Sequence, residues 1–268
     1  MNKPSGLGPL SRERLSKILR ISKGIINVDL ASKALDIPPS KASQFLSYWA
    51  QQGWLYRVKR GIYVSVPLES STGKPAIEDP WIIAHEIFNP CYIGGWSAAE
   101  YWDLTEQIFQ SVCIVTVKAK RIKDVSFGNF RFSVKSIYPE RFFGYKAVWR
   151  GQMKVNVSDP GRTVIDMLND TKLGGGIRPI SDVLNKYMQS PHKNLNSLFE
   201  YAMRIKNKTV LKRLGYLMEK FHTEEREFIQ QCHARISTGY SKLDPNLDAD
   251  KLITRWKLWV PESWTGEG

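Results

Sequence analysis

The sequence predicts an α+β protein whose first quarter is three short helices and a hairpin, and whose larger remainder passes from strands into helices. Two observations carry that prediction. Within residues 1–67, apolar residues recur at helical spacing in three runs, each closed by Gly or Pro, before two β-type runs flank Lys59-Arg60-Gly61. Beyond residue 75, β-branched runs dominate to about 158, and helical spacing takes over from Pro160. The 268 residues are 42% hydrophobic and 12% aromatic, which suffices for a packed core and excludes disorder as the default.

The first element is a helix capped by Ser11 and running to about Ile21, with Leu15, Ile18 and Leu19 as one buried stripe. Gly24 breaks it, and Ile25-Ile26 can add a short extended piece. Asn27 caps a second helix whose apolar face is Val28, Leu30, Ala31, Ala34 and Leu35; Pro38 and Pro39 forbid its continuation. Ser40 is expected to cap a third helix, to Gln52, where Ala42, Phe45, Leu46 and Trp49 face the core. Its opposite face offers Ser40, Lys41, Ser43, Gln44, Ser47, Tyr48 and Gln51. Residues 54–58 and 62–66 read as strands, joined by a turn in which Gly61 tolerates a positive φ. Arg57, Lys59 and Arg60 stand at its tip. Helix, helix, helix and basic hairpin in this order define a winged helix-turn-helix.

Charge follows the same division. The chain carries a net +13, and residues 1–67 hold eleven Lys/Arg against three acids, a net +8. A polyanionic partner such as nucleic acid is implied. The third helix has short hydrogen-bonding groups that can reach base edges in a major groove, and the hairpin cations suit the backbone. The expected double-stranded-DNA contacts are Ser40, Lys41, Ser43, Gln44, Ser47, Tyr48, Arg57, Lys59 and Arg60.

The remainder reads as a domain over 75–268, with a linker at 69–74, a β-rich lobe to about 158, a helical lobe over 159–235 and a Trp-rich, partly irregular tail over 236–268. A helix spans 76–88. Strands fall at 91–96, 112–117, 127–132 (around Gly128-Asn129), 134–137 and 147–157, with a helix from Ser97, as cap, to Leu104. Three or four helices follow Gly174-Gly175-Gly176, which reads as a hinge: no Lys-Ser/Thr follows it, so it is no phosphate loop. Arg162 and Asp166 have the spacing of an i,i+4 ion pair. Arg204, Lys206, Lys208, Lys212 and Arg213 form a basic cluster, read as a solvated face or as an RNA-contacting surface.

Other chemistries lack their residues. Cys91, Cys113 and Cys232 form no CxxC pair, which disfavours a zinc ribbon or disulfide framework and suits reduced, buried thiols in a cytoplasmic protein. His222, Cys232 and His233 lack a fourth metal ligand, and His85-Glu86 lacks the second His of HExxH. No cofactor is expected. No apolar run reaches the 18 residues of a membrane span.

The residues also resemble a family. Arg60-Gly61-Ile62-Tyr63, then Tyr92-Ile93-Gly94-Gly95-Trp96-Ser97-Ala98-Ala99-Glu100-Tyr101-Trp102 with Leu104-Thr105-Glu106-Gln107, then Ser158-Asp159-Pro160-Gly161-Arg162-Thr163-Val164-Ile165-Asp166-Met167-Leu168 resemble the AbiEi antitoxins of abortive-infection systems, over roughly residues 10–220. The resemblance implies a type IV antitoxin beside a nucleotidyltransferase toxin. It implies repression of its own operon at inverted repeats through the N-terminal domain, and toxin neutralisation by the C-terminal domain without a stable complex. It supplies no catalytic residues, and Gly95-Trp96-Ser97 is not followed by the Asp-x-Asp of a nucleotidyltransferase. The alternatives are a nucleic-acid-processing enzyme targeted by a winged helix, and a winged-helix regulator with a protein-interaction domain.

Overall fold

A computed structural model describes residues 6–22, 24–66, 79–118, 124–127, 130–151 and 153–265. The expected linker at 69–74, the start of the expected 76–88 helix and Gly128-Asn129 lie outside the described residues. The chain divides into two compact units. One comprises Met1–Asn89, Asp124–Phe132 and Val148–Val155; the other comprises Pro90–Lys123, Ser133–Ala147 and Asn156–Gly268.

In the first unit, α1 (Pro9–Ile21) begins at a proline, whose missing N–H would be unsatisfied there anyway; its N-cap is Gly8 rather than Ser11. Leu15 and Ile18 are buried, but Leu19 is 38% exposed. Leu19 lies about 40° round the helix from Leu15, on the side away from Ile18, beyond the reach of the core. After β1 (Ile25–Asn27), α2 (Val28–Leu35) opens with the Leu30 N–H donating to Asn27 Oδ1 at 2.8 Å. Ser32 Oγ donates to the Ile37 carbonyl at 2.6 Å, tying the turn that follows.

Helix α3 (Pro39–Gln51) starts one residue earlier than expected, with Pro38 as N-cap and Pro39 at the first position. Ala42, Leu46 and Trp49 are buried, while Phe45 is half-buried and stacks on Trp49 at 5.7 Å between centroids. The Arg14 guanidinium covers Phe45 at 4.9 Å, joining α1 to α3. Strands β2 (Leu55–Lys59) and β3 (Ile62–Ser65) form a hairpin closed by Gly61 at φ +81°, with a register shift between Arg57 and Lys59. β1 adds to β3, giving an antiparallel sheet in the order β1-β3-β2. This is the winged helix-turn-helix. Helix α4 (Pro80–Phe88) belongs to the same unit; Asp79 caps it by accepting the Trp81 N–H and pairs with Arg150 at 2.6 Å.

The rest of the chain supplies a six-stranded sheet. Its strands are β4 (Cys91–Ile93), β5 (Ser111–Thr116), β6 (Asp124–Phe127), β7 (Phe130–Ser136), β8 (Tyr145–Arg150) and β9 (Met153–Ser158), in the order β6-β7-β5-β4-β9-β8. β4 runs antiparallel to β5 (Tyr92 opposite Val115) and parallel to β9 (Ile93 opposite Val157). Such central strands are buried on both faces and read as unbroken apolar runs, as Cys113–Thr116 does.

In the second unit, α5 (Gly95–Tyr101) is followed by α6 (Pro160–Asn169), α7 (Ile177–Gln189), α8 (Leu195–Arg204), α9 (Lys208–Phe221) and α10 (Arg226–His233). α5 is capped at Gly94, not at Ser97; the Ser97 hydroxyl instead accepts the Cys113 N–H at 2.9 Å. Gly174–Gly176 is a packed corner rather than a hinge. A Cβ at Gly174 would meet Ile180 at 2.4 Å, and the Ile177 N–H beyond it donates to Asp244 at 2.9 Å. The tail is partly irregular, as expected, yet it is packed. β10 (Ser241–Lys242), β12 (Leu258–Val260) and β11 (Lys251–Ile253) form a small sheet in that order, and Leu243, Trp256, Leu258, Val260 and Trp264 join the helical core.

Candidate nucleic-acid interface

Burial of Ala42, Leu46 and Trp49 turns the other side of α3 to solvent. Ser40, Lys41, Gln44 and Gln51 are exposed, and Tyr48 is 50% exposed. Ser43 and Ser47 are half-buried, and Ser47 shares a hydrogen bond at 3.1 Å with the Tyr63 hydroxyl of β3. That bond fixes the helix to the hairpin and engages a hydroxyl expected to face outward. The outward row from Ser40 to Gln51 is therefore carried by Ser40, Lys41, Gln44, Tyr48 and Gln51. No side chain caps the helix start, which leaves its first-turn N–H groups and the positive end of the helix dipole turned to the surroundings.

On the hairpin, Arg57 is exposed, with its guanidinium 6.0 Å from the Tyr63 ring, and Arg60 is exposed at the turn. Lys59 behaves differently. Its Nζ donates to the Ile87 carbonyl in the last turn of α4 at 3.3 Å, the favourable place for a cation at a helix C-terminus. Lys41, Gln44, Arg57 and Arg60 are thus exposed, while Ser47 and Lys59 also act inside the unit.

The motifs of the larger part prove structural. A Cβ at Gly95 would sit 2.5 Å from the Leu173 carbonyl, and this residue has φ +50°, so only glycine fits. Trp96 donates from Nε1 to the Ser111 carbonyl at 2.7 Å and stacks on Phe109 at 5.2 Å. Trp102 donates to the Ser158 carbonyl at 2.8 Å, linking the first motif to the second. There Asp159 caps α6 by accepting the Arg162 N–H at 2.8 Å, and its other oxygen accepts from Tyr201 at 2.7 Å.

The expected Arg162–Asp166 ion pair forms at 2.9 Å, fully buried. Sequence reading missed its third member. Tyr92 donates to Asp166 Oδ2 at 2.7 Å and accepts from Arg162 at 3.0 Å, a contact between residues too distant in the chain for any local pattern to reveal. Arg162 also donates to the Arg141 carbonyl at 2.8 Å and lies 4.1 Å from the Phe143 ring centroid. Burial pushes the Tyr92 hydroxyl well above its usual range, and the Asp166 charge pushes in the same direction. Burial likewise raises the Asp166 carboxyl, against the pull of Arg162. The three side chains are buried and bonded to one another, with only Arg162 Nη1 left without a partner among the described residues, so the triad is a strut between sheet and helix.

The basic cluster on α8 and α9 is corrected from five residues to three. Arg204, Lys206 and Lys208 are exposed. Lys212 is 0% and Arg213 4% exposed; they donate to the carbonyls of Gly239 and, for Arg213, of Leu168 and Lys242. Burial lowers the pKa of both. They satisfy main-chain carbonyls of α6, of β10 and of the segment before it, and cannot meet RNA. Among the described residues no three His, Cys, Asp or Glu gather as metal ligands; His222 bonds Asn185 at 2.8 Å and His233 the Arg255 carbonyl at 3.2 Å. No helix among the described residues is long and apolar enough to cross a membrane.

The crystal structure of the RV2827C protein from Mycobacterium tuberculosis is similar over 96% of this chain and 94% of that one, with a TM-score of 0.65 at 14% sequence identity, a likeness of fold. No curated protein matches the sequence. A family model described as a transcriptional regulator, AbiEi antitoxin, matches residues 13–66, which contain the α2–α3 turn and the hairpin. In this segment the chain therefore matches the AbiEi antitoxin family of transcriptional regulators.

Proposed function

We propose that the protein is a DNA-binding repressor of its own toxin–antitoxin operon and a type IV antitoxin against a nucleotidyltransferase toxin. The observation that carries the reading is the outward row Ser40, Lys41, Gln44 and Tyr48 on α3, beside Arg57 and Arg60, inside the segment that matches a regulator family. Residues 1–68 act as the reading head and 75–268 as the antitoxin domain. Phosphate contacts from Lys41, Arg57, Arg60 and the start of α3 set affinity, and Gln44, Ser43 and Tyr48 discriminate bases. Ser47 and Lys59 contribute by holding helix and hairpin in register, and reach DNA only by giving up their present bonds. Two such heads on inverted repeats would read one operator. The larger domain works without a catalytic residue of its own and without a stable complex with the toxin, in a cytoplasmic setting. Arg204, Lys206 and Lys208 are where it would touch RNA.

The test is binding of the full chain to the DNA upstream of its own gene, by fluorescence anisotropy across a salt series. Lys41→Ala with Arg60→Ala should weaken binding to all sequences and flatten the salt dependence. Gln44→Ala should narrow the gap between operator and random DNA, by about tenfold for one lost base contact. A folded triple variant that binds the operator normally would remove the reading head from this face.

A further inference from the structure

A cleft of about 660 Å³ runs along the outer side of α1, lined by Leu7, Leu15, Leu19, Trp54 and Val66 on the apolar side and by Arg12, Ser16, Arg20 and Ser65 at its edge. Leu19, outside the core stripe, lines it together with Trp54 and Val66 at the base of the hairpin. Arg12, Ser16 and Arg20 recur every four residues and so share one edge of α1. Among the described residues neither guanidinium pairs with a carboxylate, and the one acid of α1, Glu13, is taken by Lys17 at 3.0 Å.

Volume and lining fit a small-molecule site, which holds about 300–1,000 Å³ and is mostly apolar with a few placed polar groups. The charge decides what enters. A second copy docked through α1 would bring Arg12, Arg14, Lys17 and Arg20 of each chain together against a single Glu13 apiece, which like-charge repulsion disfavours. An anion gains from the same two guanidiniums. We propose that this cleft binds an amphipathic monoanion of the fatty-acid class, with its apolar chain against Leu15, Leu19, Trp54 and Val66 and its carboxylate held by Arg12 or Arg20. The inference does not rest on DNA binding.

The experiment is calorimetric titration of the full chain with octanoate, decanoate and decan-1-ol, all below their aggregation limits. The expected result is one decanoate per chain. Affinity should rise roughly fourfold for each added methylene that is buried, and decanoate should bind at least tenfold more tightly than the alcohol. Arg12→Gln with Arg20→Gln, both exposed, should erase the difference between acid and alcohol. Lys33→Gln, a cation on α2 away from the cleft, should leave it intact, which separates a local carboxylate site from attraction to a basic protein. Ser16→Phe should fill the cleft and abolish binding of both. Equal binding of decanoate and decan-1-ol, loss of the preference on Lys33→Gln as well, or no saturable binding of decanoate overturns the proposal.

Discussion

Gly215 and Trp256 show how little room single residues leave in the second unit. A Cβ on Gly215 would come within 2.1 Å of the Trp256 ring, which is fully buried and donates from Nε1 to Glu219. Gly215→Ala must therefore push a whole indole aside; chemical denaturation should show a loss of at least about 3 kcal/mol, the upper range for overpacking. Asp244 is the other decisive residue. Burial works against its ionised form, but N–H groups of Asn246 and Ile177, the Thr171 hydroxyl and the Asn246 amide outweigh it and hold the carboxyl below its usual range. A depressed folded-state pKa gives stability that is full above the unfolded value, about 3.9, and is lost as pH falls through the folded value. The wild type should accordingly lose stability on acidification below about pH 4. Asp244→Asn should cost about 1–3 kcal/mol at pH 7 and show a shallower acid dependence, read by urea titrations at pH 7 and pH 3.

Among elements, α2 and α3 are both short and take their order from their ends. Asn27 caps α2 through a single bond to Leu30. Asn27→Ala should lower the stability of the protein by about 1 kcal/mol, visible as a shifted urea midpoint with an unchanged slope. Helix α3 lacks such a side-chain cap and is started by the fixed φ of Pro39 instead. The apolar spacing at Ala42, Leu46 and Trp49 made the inner face legible from the chain alone. Which outer residues stay available was not legible, because Ser47 meets Tyr63 from a strand 16 residues away and Lys59 meets Ile87, 28 residues away. Start residues misread from sequence share a cause. Ser11, Ser40 and Ser97 all have capping chemistry, yet a proline or glycine just ahead of each began the helix first.

At the scale of the molecule, all three cysteines are buried thiols. Burial pushes the Cys91 and Cys232 thiols up to about 12 and the Cys113 thiol higher still. The native protein should hence ignore a thiol reagent at pH 8 and yield three thiols after denaturation, because the thiolate is the reactive form. Fast labelling of the native chain at any one of them would show that its surroundings open locally. The Trp-rich tail belongs to this scale too: Trp256 and Trp264 complete the core laid down by α7 to α10. Its three strands were not legible in sequence because they are only two or three residues long and owe their order to packing.

By itself the sequence determined the order of the N-terminal elements, the winged helix-turn-helix, the concentration of positive charge in its first 67 residues and the pairing of Arg162 with Asp166. These are properties of spacing and composition, which act within a few residues. Only the tertiary structure decided that Tyr92 completes that pair, that Lys212 and Arg213 serve buried main-chain carbonyls rather than a surface, that Gly174–Gly176 is a packed corner, and that Leu19 faces a cleft. Each depends on residues brought together from far apart in the chain, and burial, which sets the meaning of a charge or an apolar side chain, is fixed only when those residues meet.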